Sequence, residues 1–441
     1  MSLYWKGYYR VTSNRLRTCC DPLSTYKVPL SVCVAFKGIL WYNILNGDYL
    51  MIQLRDHQLS ILNTLQDNRK GQVIVPTGGG KTMCMIEDAK YHLQFNNTPK
   101  TIVVVAPRIL LAQQLCEDFL ELIDNVHVLH VHSGETHYTS TTKIDLIRQW
   151  VGDNVGNKII FTTYHSLHKL MYSDVFVDTI YFDESHNSVQ KNFIEATEYY
   201  SMYANRCYFF TATPKHSKTP FKIGMNDEDI YGKVLCNVPA PKLVDEGVIL
   251  PPKVIVKKID VVDDSRFKHE HDCDNVLSTI DDVKVDKILI CARSTKQIVN
   301  LVSQTDFAYE LQTRGYNWMY ITAKTGAIIN GKKVNRESFF NTLNEWGKED
   351  GKRFVVLHHS ILSEGINVKG LEAALFLRNM DYITISQTIG RVIRKGNESK
   401  TYGLLCVPVY DKVGISTARK VEAVVDTVFD KGQPAISTIT K

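Results

Sequence analysis

Short runs of β-branched and aromatic residues punctuate this chain, and amphipathic stretches fill the gaps between them. In the first half the runs fall at residues 72–76 (QVIVP), 101–106 (TIVVVA), 126–131 (VHVLHV), 158–162 (KIIFT), 178–183 (DTIYFD) and 206–211 (RCYFFT). Most are continuous apolar stretches rather than strict alternations, which is how strands buried on both faces of a parallel sheet read. Amphipathic segments such as 108–123 and 141–151 separate them, so the rhythm predicts an α/β doubly wound domain. A second set of runs follows at 286–292, 316–321, 353–358, 373–378 and 401–407, with helical patterns at 294–313, 335–347 and 385–394. A chain of 441 residues exceeds what one hydrophobic core organises, and the two sets divide it. The expected order begins with a small basic N-terminal subdomain, β-rich or mixed, over 1–50, and an α/β parallel-sheet domain over 51–236. A connection over 237–285 follows, carrying Pro239, Pro241, Pro251 and Pro252, then a second such domain over 286–410 and a helical tail over 411–441.

Composition removes several classes. A hydrophobic fraction of 44% and a charged fraction of 22% belong to a globular chain, not a disordered one. No apolar run reaches the roughly 18 residues of a spanning helix, and the first ten residues lack the core of a secretory signal. A cytoplasmic location is therefore expected, that of the host if the chain is viral. The ten cysteines are scattered apart from the adjacent Cys19 and Cys20, with no CxxC pair. They read as thiols in a reducing compartment rather than as a disulfide framework or a zinc site. The net charge of +5 is concentrated at the start, where Lys6, Arg10, Arg15, Arg17, Lys27 and Lys37 face only Asp21 and Asp48. Tyr4, Trp5, Tyr8 and Tyr9 are interleaved with these charges. That mixture suits a polyanion with exposed bases; a small surface subdomain without a ligand is the alternative.

Two short motifs carry chemistry. Val75-Pro-Thr-Gly-Gly-Gly-Lys-Thr82 follows a strand-like run and precedes a helix-like one, the context a phosphate-binding loop requires. Gly78, Gly79 and Gly80 let backbone N–H groups converge on phosphate oxygens, with Thr77 beside them. Lys81 would place its cation at the β- and γ-phosphates and Thr82 would ligate Mg²⁺. Val75 stands where the first glycine of the usual pattern belongs. Asp183-Glu-Ser-His186 ends the strand-like TIYF run, placing two carboxylates at the carboxyl edge of a parallel sheet, where ligands of such sheets bind. Asp183 would hold magnesium through water, and Glu184 would orient and deprotonate the attacking water. ATP and Mg²⁺ are the implied cofactors.

These residues resemble superfamily 2 helicases, over roughly residues 50–410. PTGGGKT and DESH look like motifs I and II of that family, and Thr211-Ala-Thr213-Pro214 looks like the motif that links hydrolysis to nucleic-acid grip. Gln387-Thr-Ile-Gly-Arg391-Val-Ile-Arg394 looks like motif VI, QxxGRxxR, and Leu54-Arg55-Asp-His-Gln58 is similar to the segment whose glutamine reads adenine. Weaker likenesses are Arg108 with Gln113 to motif Ia, Thr162-Thr163-Tyr164 to the next backbone-binding motif, and Arg293-Ser294 to motif IV. Ser363-Glu-Gly365-Ile-Asn367 resembles motif V, with Asn367 where an aspartate is common. The resemblance implies two tandem RecA-like domains closing over ATP, with Arg391 and Arg394 presented to the γ-phosphate from one helix face. Arginine fingers typically contribute ~10³–10⁵-fold in rate. His186 and Gln387 would couple the domains, or make only local hydrogen bonds.

Within the family, the basic N-terminal segment, the LRDHQ entry and the DESH sequence look most like phage UvsW-type branch-migration helicases. That likeness implies an ATP-dependent DNA helicase on forks, Holliday junctions or R-loops in replication, recombination or repair. The expected partner is branched or forked DNA, tracked along one strand with additional duplex contacts. No membrane is implied, and the chain is expected to be a monomer or weak oligomer. An RNA helicase, a duplex translocase subunit of a nuclease or remodelling complex, and an ATP-clamped scaffold are the competing readings. KHEHDCD (268–274) reads as a solvated acidic loop rather than a metal site, and 323–336 as a basic strand-to-helix connection, either a nucleic-acid contact or an ordinary loop.

Overall fold

The structure, a computed structural model, describes residues 41–45, 48–94, 98–259, 268–322, 324–359, 370–396, 400–409 and 412–439. Residues 1–55 form one compact unit and residues 56–441 another. Of the first, an antiparallel hairpin of β1 (Trp41–Leu45) and β2 (Asp48–Ile52) is described. The basic residues Lys6 to Lys37 and their aromatic neighbours lie outside the described residues.

The second unit holds two eight-stranded sheets. The first contains β3 (Lys70–Ile74), β4 (Thr101–Ala106), β5 (His127–Val131), β6 (Thr139–Ser140), β7 (Lys158–Thr163), β8 (Thr179–Phe182) and β9 (Arg206–Thr211). After β9 comes the short β10 (Lys215–Ser217), which lies outside this sheet, and then β11 (Val234–Asn237), which joins it. Spatial order is β11-β3-β9-β8-β4-β7-β5-β6, all parallel. Along β4, Ile102, Val104 and Ala106 enter one apolar cluster and Val103 and Val105 another. Both faces are therefore covered, which is why the strand reads as an unbroken apolar run.

The second sheet contains β12 (Pro252–Lys258), β13 (Lys287–Cys291), β14 (Asn317–Thr322), β15 (Gly326–Ile329), β16 (Lys332–Val334), β17 (Phe354–His358), β18 (Ala373–Phe376) and β19 (Gly403–Val409). Its order is β12-β19-β18-β13-β17-β14-β15-β16, parallel up to β14 and then closed by an antiparallel hairpin. A last strand, β20 (Ser437–Ile439), pairs with β10. The fold is two RecA-like parallel-sheet lobes in tandem, as the two sets of runs predict.

Three segments differ from expectation. The connection expected over 237–285 already contains β12, an edge strand of the second sheet, and the helix Lys268–Val283. KHEHDCD is the first part of that helix, not a loop: Cys273, Val276, Leu277 and Ile280 repeat at helical spacing and all four are buried. No group of three or more metal-ligating side chains gathers among the described residues. The expected loop 323–336 contains the β15–β16 hairpin, and the tail expected to be helical carries β20 as well as the helix Lys412–Val425. No helix among the described residues is long and apolar enough to cross a membrane.

Candidate functional site

β3 runs at Ile74 into the turn 75–80, which delivers the chain to the helix Lys81–Gln94. Gly78 and Gly80 have φ of +89° and +86°, a region closed to most side chains. A Cβ on Gly79 would lie 2.6 Å from Val75 Cγ1. The valine in place of the first glycine is thus tolerated because residue 79 has no side chain. The turn ends at a helix N-terminus, whose free N–H groups favour anions; Lys81 and Thr82 are its first two residues. Behind the turn, the helix Asp56–Asp67 brings His57 Nε2 to 2.8 Å from the Gly79 carbonyl, and Gln58 Nε2 donates to the Gly80 carbonyl at 3.4 Å. Gln58, expected to read adenine, here braces the loop backbone, and Arg55 is exposed. His57, whose role the sequence did not suggest, is one residue from it.

Asp183 follows β8, and its N–H donates to the Val105 carbonyl at 2.9 Å. Burial, reinforced by the Glu184 carboxylate, raises the Asp183 carboxyl well above the usual range, with Lys81 opposing. A divalent cation at this carboxylate would keep it ionised. Glu184 has φ 45° and ψ 51°, a left-handed conformation that costs a non-glycine residue roughly 1–2 kcal/mol. Its carboxylate lies 3.9 Å from Lys81 Nζ. His186 Nδ1 sits 3.1 Å from Thr211 Oγ1, 3.4 Å from Thr213 Oγ1 and 3.6 Å from Glu184 Oε2. The three expected coupling residues therefore meet at His186 Nδ1, which faces the carboxylate.

From the second lobe, the helix Tyr382–Val392 lays Gly390 on the phosphate loop. A Cβ there would fall 2.3 Å from Thr77 Cβ. Arg394, beyond the helix end, sits 3.7 Å (Cγ) from a Cβ position on Gly78. Enclosure lowers its pKa, and the Glu184 carboxylate opposes that shift. Arg391 is buried, and its charge acts on Cys291 and His358 inside the second lobe. Arg394 is close enough to Glu184 for the two charges to act on each other; Gln387 is buried on the same helix. Ile249, unmarked in the sequence reading, is wedged between the halves. Its backbone bridges Arg394, its Cγ2 would touch a Cβ on Gly78 at 3.1 Å, and Leu250 N donates to the Ile393 carbonyl at 2.7 Å.

Thr77 Oγ1 and Glu184 Oε2 are buried with no hydrogen-bond partner among the described residues. Two stranded polar atoms around a glycine turn, a lysine, a buried acid and an arginine fit a magnesium-bound triphosphate.

Beyond this site, a cleft of about 1450 Å³ runs between the lobes. The first lobe lines it with Arg108, Gln113 and Thr163, the second with Arg336, the last residue of the 323–336 segment, and with Phe340, Asn341 and Asn344, which the sequence did not single out. Arg108 caps the helix Ile109–Leu120, and the Gln113 amide donates to the Glu135 carbonyl. In the cleft wall His130 Nδ1 lies 3.0 Å from His132 Nε2, and burial pushes His130 down to about 4. Other expected contacts point elsewhere. Thr162 Oγ1 donates to the Val131 carbonyl inside the sheet, Arg293 Nη2 donates to the Asp272 carboxylate at 2.8 and 3.0 Å, and Ser294 caps the helix Thr295–Gln304. Ser363, Gly365 and Asn367 lie outside the described residues.

Residues 51–216 match the family model described as Type III restriction enzyme, res subunit. No curated protein sequence matches the chain. The structure is similar to an ATP-dependent Type ISP restriction-modification enzyme, LlaBIII, bound to DNA, with TM-score 0.69, 17% identity, and coverage of 89% of this chain and 32% of that one. It is also similar to a putative HsdR subunit of a type I restriction enzyme from Vibrio vulnificus (TM-score 0.56, 15% identity, 87% and 68% covered). A third similarity is to S. cerevisiae Dbp5 bound to RNA and ADP BeF3 (TM-score 0.54, 13% identity, 87% and 89% covered). The chain spans about a third of the length of the Type ISP enzymes it matches. What these similarities share with this chain is the fold, two parallel-sheet lobes in tandem.

Proposed function

We propose that this chain is an ATP-driven nucleic-acid motor, and that its finer role is that of a DNA helicase or translocase remodelling branched DNA. The observation that carries the motor reading is the convergence of Lys81, Asp183 and Glu184 from one lobe with Arg394 from the other, at a glycine turn where Thr77 Oγ1 and Glu184 Oε2 are buried without a hydrogen bond. Magnesium-bound ATP supplies the phosphoanhydride bond. Thr82 and Asp183 would hold the cation, Lys81 and the N–H groups of the turn would hold phosphate oxygens, Glu184 would take the proton of an attacking water, and Arg394 would neutralise charge on the γ-phosphate. Because Arg394 reaches the site only when the lobes meet, nucleotide state sets lobe closure. The cleft lined by both lobes then grips a strand in step with that closure. The basic segment 1–48 adds duplex or junction contacts.

Lys81→Ala and Glu184→Gln should abolish nucleic-acid-stimulated ATP hydrolysis while leaving strand affinity largely intact; retained turnover would remove the site assignment. The substrate is tested by comparing ATP-dependent unwinding of a Holliday junction, a DNA fork, an R-loop and an RNA duplex in one buffer. Activity confined to the RNA duplex would overturn the DNA reading. Loss of residues 1–48 should weaken junction affinity more than basal hydrolysis, and equal junction affinity would overturn that role.

A second reading, a duplex translocase that moves without separating strands, is favoured by the 89% coverage of this chain by a DNA-bound restriction-modification enzyme. Displacement of a third strand from a triplex, without unwinding of any of the four substrates, would select it.

A further inference from the structure

The last described stretch leaves the second lobe and ends beside the coupling residues of the first. The helix Lys412–Val425 packs on β19 and on the helix Tyr382–Val392, and a single wider turn, Asp426–Asp430, extends it. At Gly432, φ +66°, the chain turns against the first lobe; a Cβ there would lie 3.1 Å from Pro239 Cβ. Val428 and Ala435 are buried in the same apolar cluster as Val238, Ala240 and Leu243. β20 then pairs in parallel with β10, with Ser437 opposite Lys215 and Ile439 opposite Ser217. Ser437 N donates to the Pro214 carbonyl at 3.0 Å, and Lys218 N donates to the Ile439 carbonyl at 3.3 Å. Among the described residues β20 is the strand neighbour of β10.

Pro214 adjoins Thr213, whose hydroxyl is 3.4 Å from His186 Nδ1, itself 3.6 Å from Glu184. The other end of the stretch packs on the helix that leads into Arg394. We infer that residues 426–439 form a positioning strap, holding the Thr211–Pro214 loop, and through His186 the Glu184 carboxylate, in register with Arg394. A strand that merely covered an edge would need no contact with the second lobe. A strap that set register must be fixed at both ends, by buried apolar residues in the middle and by main-chain bonds at the tip. This inference rests on the ATP-motor reading for its catalytic consequence, but not for its mechanical one.

Two variants and two measurements test it. Ser437→Pro removes the N–H that meets Pro214 without touching either core, and Gly432→Ala strains the turn at Pro239. Each should lower nucleic-acid-stimulated kcat by about tenfold, the rate equivalent of one or two net hydrogen bonds. For Ser437→Pro, KM for ATP should stay within about twofold and Tm should barely move, because β20 pairs with β10 and not with the turn 75–80. In parallel, spin labels at the exposed Val155 and Tyr309, one on each lobe, report the interlobe distance without nucleotide. Deleting 433–441 should broaden and lengthen that distribution. Unchanged kcat in both point variants overturns the positioning role, as does a loss of kcat that only tracks a fall in Tm. An unchanged distance distribution overturns the strap itself. Should the full-length chain hydrolyse no ATP, the motor reading fails while the distance measurement still decides the strap.

Discussion

Replacing Gly390 by alanine separates the chemistry of closure from the stability of each lobe. Gly390 lies inside the helix Tyr382–Val392, where alanine is intrinsically favoured by about 1 kcal/mol. Nothing within its own lobe is among the nearest neighbours of the added methyl. Those neighbours are Cβ, Cγ2 and Oγ1 of Thr77 in the other lobe, at 2.3, 2.5 and 2.9 Å. Carbon atoms in contact sit roughly 3.5–4.0 Å apart, so the lobes must part by about an ångström or the phosphate loop must shift. Overpacking of this kind costs typically ~1–3 kcal/mol. Because the strain is relieved by opening, it falls on the closed state and not on folding, and corresponds to a loss of roughly 5–150-fold in kcat. Gly390→Ala should therefore show an unchanged or slightly higher Tm by calorimetry, with stimulated hydrolysis reduced by one to two orders of magnitude in a coupled phosphate-release assay. Full activity would mean that hydrolysis does not need this approach of the lobes. A fall in Tm matching the loss of rate would mean that Gly390 serves folding alone.

Other expectations follow from buried groups and from the cleft. Arg206 donates to both oxygens of the buried Asp88 at 2.9 and 3.0 Å, and Tyr181 donates to the same carboxylate. Asp88→Ala should cost ~3–5 kcal/mol by leaving the guanidinium unpaired, lowering the melting midpoint by roughly 6–20 °C; a shift under about 2 °C would contradict it. His130 is held at about 4, against 6.5 in the unfolded chain. As pH falls from 6.5 towards 4 the unfolded chain therefore binds a proton the folded one refuses, and stability drops by up to ~1.4 kcal/mol per unit. His130→Phe should flatten that slope in urea titrations, and an identical slope would assign it to other groups. Among the described residues the cleft offers two arginines, Arg108 and Arg336. Replacing both by alanine should reduce the slope of log affinity against log salt by about 1.4–1.8, and no change would place the phosphates elsewhere.

The sheets were legible where strands are buried on both faces, because short continuous β-branched runs such as TIVVVA suit such strands. They were not legible at the edges. β12 is half exposed and carries Lys253, Lys257 and Lys258, so its pattern resembles a linker, and β10 and β20 are three residues each. The helix beginning at Lys268 was readable from its spacing but was masked by the clustered His and Asp residues. The glycine turn before Lys81 and the place of DESH at a strand end were legible because both depend on local backbone. Motif VI was legible in type but not in geometry. Spacing of three residues puts two side chains on one helix face only while the helix lasts, and this one ends at Val392. Arg394 then leaves the helix to bridge Ile249, where the Glu184 charge acts on it, whereas Arg391 is buried within the helix.

Neither lobe is a complete site. The first leaves Thr77 Oγ1 and Glu184 Oε2 buried without hydrogen bonds, and the second contributes Arg394 and the bare surface of Gly390. Stranded buried polar atoms cost about 1–3 kcal/mol each, so a ligand that satisfies them favours whichever arrangement brings all its partners together. The cleft is divided in the same way, with Arg108 on one lobe and Arg336 on the other. Two ligands that each prefer joined lobes must, by linkage, strengthen one another's binding by the same factor. On the proposed motor reading, the split of both sites across one interface would suffice to couple nucleotide to strand. No relay of side chains from one site to the other is needed; the strap through β20 needs only to keep the two halves in register.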